Sequence, residues 1–346
     1  MKVVYTPIHQ RHNPKQAFEH SGMQPALEHS ERAEVIRGQL AADARFELSE
    51  PSRWGIEPVA AIHDPGLVRF LSHAWHEYQQ QIGPTEDVMP DVFYRPALRQ
   101  GMPERAEPAS IHARLGLWCF ETTTPLTQGT YDAALAAVDT ALSVTQLVLG
   151  GELAAYGLCR PPGHHATTSL YGGFCYFNNA AVAAHHVTVT TGSKVTILDV
   201  DYHHGNGTQE IFYTRNDVQY VSLHADPARA YPWHTGYADE TGSGRGAGSN
   251  LNIPLPERMS DDAYLLALER AAPVVAAFKP SLLIVSLGLD TYVDDPIGDF
   301  ALTADGFERC GRLVKSLGLP TVVLQEGGYA VDALGVNAKR WLLGLL

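Results

Sequence analysis

The chain has 346 residues and a formal net charge of −13, from 25 Lys and Arg against 38 Asp and Glu, and 45% of its residues are hydrophobic. That composition is ordinary for a globular protein with a large core, and the acidic surplus argues against nucleic acid as the main partner while leaving room for a cationic ligand. Cys119, Cys159, Cys175 and Cys310 lack CxxC spacing, which speaks against a disulfide framework or a thiolate zinc site; reduced, buried thiols are expected.

The N-terminus starts with a short β-branched run at 3–5, too short for a secretory signal, and no stretch reads as approaching bilayer length. A cytoplasmic protein without membrane attachment is expected. His9, His12, His20 and His29 follow and read as solvent-exposed. Residues 73–111 carry Pro84, Pro90, Pro96, Pro103 and Pro108, which break any long element. This segment reads as an inserted loop region within one catalytic domain spanning 1–346. A helical pattern over 131–149 leads to a strand at 154–158. The turn Arg160-Pro161-Pro162-Gly163 then delivers His164 and His165. A helix over 178–187 precedes strands at 195–200 and 218–223. The Gly-rich stretch 241–248 follows no strand and opens no helix, so it reads as a plain flexible loop rather than a phosphate cradle. A helix over 261–278, a strand at 282–287, a helix over 304–317 and a strand at 321–324 complete the series. Strand and helix in alternation predict an α/β fold: a mostly parallel, multi-stranded sheet with helices on both faces.

The chemistry gathers just past the predicted strand ends. Behind the buried strand at 195–200 comes Asp199-Val200-Asp201-Tyr202-His203-His204-Gly205-Asn206-Gly207, and alternation along an extended chain would set Asp199, Asp201 and His203 to one side. Burying that many unpaired polar groups costs several kcal/mol, which a ligand or a tight network must offset. Asp290 follows the strand at 282–287, and Tyr329, in Glu326-Gly327-Gly328-Tyr329, follows the one at 321–324. In a parallel sheet all these ends share one edge, so the groups converge on one crevice. Asp201, His203 and Asp290 would give a divalent metal two carboxylates and an imidazole, with positions left for water and substrate. The set suits Zn²⁺ and admits Fe²⁺, Co²⁺ or Mn²⁺. His164 and His165 offer proton transfer beside it, and the Tyr329 hydroxyl offers oxyanion stabilisation.

Arg160 to His165, Gly172-Gly173-Phe174-Cys175-Tyr176-Phe177-Asn178-Asn179, Asp199 to Gly207, Ser286 to Asp290 and Glu326 to Tyr329 together resemble the histone deacetylase superfamily. Within it, the chain looks most like bacterial acetylpolyamine amidohydrolases and class II deacetylase relatives. The resemblance implies the arginase-deacetylase fold and removal of an acetyl or similar acyl group from a small primary amine. It also implies Asp201, His203 and Asp290 as zinc ligands, His165 as general base and acid, and His164 as its electrostatic partner paired with Asp199. Asn206 would contact His165, and Tyr329 would polarise the carbonyl. Phe174 and Tyr231 would wall the acyl-amine tunnel, with Gly173, Tyr202 and His112 also at the substrate. A structural potassium site would involve Asp199, Asp201, His203, Ser222 and Leu223. The inserted loop implies a homodimer with a narrowed entrance.

Two positions depart from the polyamine pattern: His112 and Ala17 stand where acids are expected, with Glu19 close to the latter. A protein-lysine or other small-molecule deacylase is therefore the alternative substrate reading, and a non-catalytic acyl-amine binding protein the alternative of another class. A ureohydrolase would need a second carboxylate-rich metal motif, which Asp294 and Asp295 do not reproduce.

Overall fold

The computed structural model describes residues 1–19, 22–103 and 105–346, so the expectation for His20 lies outside the described residues. The strands are β1 (Lys2–Val4), β2 (Gln16–Glu19), β3 (Gly22–Pro25), β4 (Glu47–Ser49), β5 (Ala154–Gly157), β6 (Val195–Asp199), β7 (Val218–Ala225), β8 (Asn250–Leu255), β9 (Leu282–Leu287) and β10 (Thr321–Gln325). The helices are α1 (Glu31–Ala41), α2 (Glu57–Ala60), α3 (Pro65–Gln81), α4 (Ile111–Trp118), α5 (Thr130–Leu149), α6 (Asn179–Thr191), α7 (Asn206–Phe212), α8 (Asp261–Phe278), α9 (Ala304–Ser316) and α10 (Val331–Leu345).

Eight strands form one sheet in the order β4-β1-β5-β10-β9-β6-β7-β8, every neighbouring pair parallel, while β2 and β3 make a separate antiparallel hairpin. Strands covered on both faces need apolar side chains at nearly every position, which is why β6 and β9 read as continuous runs. Val195 and Ile197 of β6 pack into the core beneath α3 to α6, and Leu198 into the core beneath α1, α8, α9 and α10. From β6 the chain moves outward through β7 to β8; from β9 it moves the other way to β10. The direction reverses between β6 and β9, and that is where a doubly wound sheet opens its crevice.

Three expectations are corrected. The window over α5 is long and apolar enough to span a bilayer by length and composition, with a hydropathy of 1.3, but 61% of it is buried, as befits a core helix. The irregular segment starts after Gln81 rather than at 73, because α3 continues through His73 with an apolar face packed inward. The Gly-rich loop is a loop but not a loose one: Ser243 N–H donates to Tyr213 O (2.8 Å) and Gly248 N–H to Thr241 O (2.7 Å) around a short 3-10 turn, Gly244–Gly246. All four cysteines are free and buried.

Candidate active site

The four groups of polar residues sit past the C-terminal ends of β5, β10, β9 and β6, which are adjacent in the sheet. Ligand atoms of Asp201, His203 and Asp290 all lie within 4.8 Å of one another. His203 Nδ1 is 2.9 Å from Asp290 Oδ2 and 3.5 Å from Asp201 Oδ1. Backbone donors hold the carboxylates: His203 N–H and Gly327 N–H on Asp201 (2.9 and 2.8 Å), and Tyr202 N–H on Asp290 (2.9 Å). Gly327 is required by close approach, since a Cβ there would stand 2.6 Å from Asp201 Oδ2 and 2.7 Å from Asp290 Oδ2. Burial and the Asp201 charge beside it push the Asp290 carboxyl up to about 7. Asp201 is equally buried, but the His164 and His203 charges hold it below the usual carboxylate range. Two facing acids with an imidazole between them form a donor set that a divalent cation stabilises.

The two histidines after β5 are held in different states. His164 Nδ1 is 3.1 Å from Asp199 Oδ2, which also accepts from Tyr220 Oη (2.9 Å). Burial opposes a charge on His164, yet Asp201 and Asp199 lift it to about 10. His165 Nδ1 is 2.7 Å from Asn206 Oδ1, and Asn206 Nδ2 donates to His165 O (3.3 Å), which fixes the amide's orientation. An amide oxygen only accepts, so the His165 proton resides on Nδ1 and Nε2 is free. Burial, and then the charges on His164 and His203, hold His165 well below its ordinary value.

Aromatic rings flank this centre. Tyr231 packs edge-on to His165, with ring centroids 4.9 Å apart, and Phe174 lies 5.6 Å from Tyr329. Gly173 has φ +59°, and a Cβ there would stand 2.4 Å from His165 Cδ2, so glycine alone lets this wall approach His165. Tyr329 is 8% exposed, and burial drives its phenol well above the ordinary value despite the Arg32 charge.

Not every expected residue joins the site. Tyr202 is buried between His203 and Phe300 and packs in the core, supporting His203 rather than lining an entrance. His112, on α4, faces Asp91 (3.9 Å) and Tyr78 on the exposed side of the helix. Ala17 is buried in β2. Asp199, Ser222 and Leu223 are fully buried where β6 and β7 pair, with Asp199 in register with Ser222. The expectation of solvent exposure is overturned for His9 and His12, each 1% exposed; His29 is half-buried. Arg160 Nη1 donates to His9 O and His12 O (2.8 and 2.6 Å), drawing that segment inward.

No sequence pattern announces the buried ionic cluster behind the site. Glu28 accepts from Arg160 Nε and Nη2 (2.8 and 2.9 Å) and from Arg32 Nη1 (2.8 Å). Arg32 in turn lies over the Tyr329 ring, 4.4 Å from its centroid. Glu326, also buried, accepts from Gly163 N–H (2.6 Å) and His164 N–H (3.2 Å), tying the tyrosine loop to the histidine turn. A charged residue in line with Ile36 and Leu40 on the face that α1 buries was the signal for Arg32, and Glu326 was visible only as part of its motif.

Residues 26–345 match the histone deacetylase domain family. The chain is 40% identical over 344 residues to acetylpolyamine amidohydrolase 2 of Pseudomonas aeruginosa, covering 99% of this chain and 98% of that protein. It is 38% identical over 345 residues to the acetylpolyamine amidohydrolase of Mycoplana ramosa, covering 100% and 99%. The crystal structure of acetylpolyamine aminohydrolase from Burkholderia pseudomallei matches with a TM-score of 0.91 at 38% identity, over 99% of this chain and 98% of that one.

Proposed function

The chain belongs to the histone deacetylase family and is a hydrolase of acetyl amides, and on that premise we propose that its substrates are small acetylated primary amines, acetylpolyamines above all, and that its activity depends on zinc. Asp201, His203 and Asp290 would hold one ion per subunit, and the donor set also accommodates Fe²⁺, Co²⁺ or Mn²⁺. When bound, such an ion supplies Lewis-acid polarisation of the carbonyl and acidifies water.

The observation that carries the reading is the different partner of each imidazole: His165 Nδ1 faces the Asn206 amide oxygen, which leaves Nε2 free, and His164 Nδ1 faces the Asp199 carboxylate. His165 Nε2 takes a proton from the attacking water and returns one to the departing amine. His164 keeps its own proton, donating Nδ1–H to Asp199, and its charge stabilises negative charge developing nearby. The Tyr329 hydroxyl donates to the carbonyl oxygen as it gains charge. Phe174 and Tyr231 present apolar faces suited to the methylene chain of an unbranched amine.

Acetyl-lysine in protein tails is the second reading, because the resemblance expects acids where this chain has His112 and Ala17. The test is kcat/KM for acetate release from acetylated putrescine, cadaverine and spermidine beside an acetyl-lysine peptide, with the metal-loaded enzyme. A preference of about tenfold or more for the free amines, about 1.4 kcal/mol of transition-state binding, is expected. Equal or reversed rates would overturn the polyamine assignment. We also propose a structural potassium ion near Asp199, Asp201, His203, Ser222 and Leu223, and a homodimer through the inserted segment, where Val92, Leu98 and Met102 are exposed.

A further inference from the structure

Two consecutive glycines precede Tyr329, and Gly328 has φ +115°, so this loop ought to be among the least constrained parts of the chain. It is instead held at almost every backbone polar group. Glu326 N–H donates to Leu287 O (2.9 Å), and Gly327 N–H donates to Asp201 Oδ2 (2.8 Å). Gly327 O accepts from Leu289 N–H (3.1 Å) and Gln325 Nε2 (2.8 Å). Arg32 grips one side, with Nη2 donating to Glu326 O (2.8 Å) and Nε to Gly328 O (2.6 Å). Asp295 grips the other: its Oδ2 accepts from Tyr329 N–H (2.7 Å) and Ala330 N–H (3.2 Å).

Asp295 is 7% exposed and sits on the loop that begins at Asp290. Its Oδ1 accepts from Ile297 N–H (3.1 Å) and its own N–H donates to Tyr292 O (3.0 Å), so both carboxylate oxygens and the backbone are committed. A carboxylate bound by two consecutive N–H groups fixes the plane of the peptide that launches the tyrosine side chain. Hydrogen bonds to a charged acceptor are also stronger than neutral ones.

We propose that Asp295 is a positioning residue: by holding the Tyr329 and Ala330 amides, opposite the Arg32 grip on the carbonyls, it aims the Tyr329 hydroxyl at the carbonyl oxygen of the substrate. The tyrosine and the Asp290 loop thereby act as one rigid unit. The inference rests on amide hydrolysis through Tyr329 and not on the identity of the amine. It is therefore measured on whichever acetylated amine or acetyl-lysine peptide the wild-type enzyme turns over, and loss of the polyamine preference leaves it readable.

The experiment is a double-mutant cycle of Asp295→Ala with Tyr329→Phe, read as kcat and KM in enzyme of verified metal content. Misplacing a reacting group by an ångström costs about 10²-fold, and losing the donor altogether about 10² to 10³-fold. Asp295→Ala alone is expected to lower kcat by about 10 to 100-fold with KM unchanged within about threefold. On the Tyr329→Phe background it is expected to cost less than about twofold, because its target is already gone. Asp295→Asn, which keeps one acceptor oxygen, is expected to recover part of the loss and serves in its place should the alanine variant not fold. Hydrogen exchange should quicken at the Tyr329 and Ala330 amides while the β9 amides stay protected. Equal losses on both backgrounds, a fall in metal content that accounts for the loss, or unchanged protection of Tyr329 and Ala330 would each overturn the proposal.

Discussion

Replacing Asn206 with Asp puts the assignment of His165 to a direct test. In the wild-type protein a neutral amide oxygen sits 2.7 Å from His165 Nδ1, while burial and the neighbouring imidazolium charges hold the ring well below its ordinary value. A carboxylate at the same place adds one negative charge about 4 Å from the ring centre, worth about 4 kcal/mol at an effective permittivity of about 20. The carboxylate's own desolvation offsets part of this, leaving a rise of about 1 to 2 pKa units. A general base works unprotonated, so a higher pKa moves the acid limb of kcat/KM to higher pH and reduces activity below that limb about tenfold per unit, with the plateau retained. The assay is kcat/KM for acetate release against pH, with metal content verified at each pH. Asn206→Ala serves as the control: it loses orientation and rate without moving the limb upward. An acid limb displaced by less than about half a unit in the Asp variant would refute the argument that this contact sets the protonation of the base.

Two further outcomes concern stability. His63 is buried, with Nδ1 on Thr167 O (2.9 Å) and Nε2 accepting from Asn178 N–H (2.9 Å), and burial lowers it to about 4. Its unfolded form titrates near 6.5, so the unfolded chain binds more protons between those values; the neutral ring contributes stability above about pH 6.5 that is lost as pH falls through about 4, about 3 kcal/mol in all. His63→Gln, which offers a donor and an acceptor without titrating, should flatten the urea stability curve between pH 6.5 and 4, and an unchanged slope would contradict the assignment. Glu28→Gln leaves Arg160 and Arg32 with a neutral partner inside the protein, and breaking a buried ion pair in this way costs about 3 to 5 kcal/mol. The urea midpoint should fall at constant slope; a loss below about 1 kcal/mol would show that the two guanidiniums do not depend on that charge.

The residues proposed to do the chemistry were legible because each motif is local. The turn at Pro161 to Gly163, the alternation from Asp199 to His203, and the glycines before Tyr329 announce strand ends and tight turns through their own backbone requirements. The parallel sheet was equally legible, since strands such as β6 and β9 are buried on both faces and must be apolar throughout. The short edge strands β4 and β8 were not. Edge positions need no such run, and Glu47-Leu48-Ser49 and a segment containing Pro254 carry little pattern to read. Nor could α5 be told from a membrane span by composition, because a helix in a protein core and one in lipid meet the same apolar surroundings.

Local period and turn chemistry, read along the chain, settle which side chains stand at the ends of which strands. The order of those strands was decided only in three dimensions. β6 and β9 lie side by side although more than eighty residues separate them, and their adjacency turns two acids and an imidazole into a single donor set. The same is true of the groups that hold the Tyr329 loop. Arg32 reaches carbonyls 294 and 296 residues away, and Asp295 reaches amides 34 and 35 residues away. His9 and His12, which look like surface residues in a polar N-terminal stretch, are buried because Arg160 draws their carbonyls inward. A local pattern records how each segment faces its own surroundings, whereas a buried charge is stable only where distant partners meet it, and that meeting belongs to the packing of the whole chain.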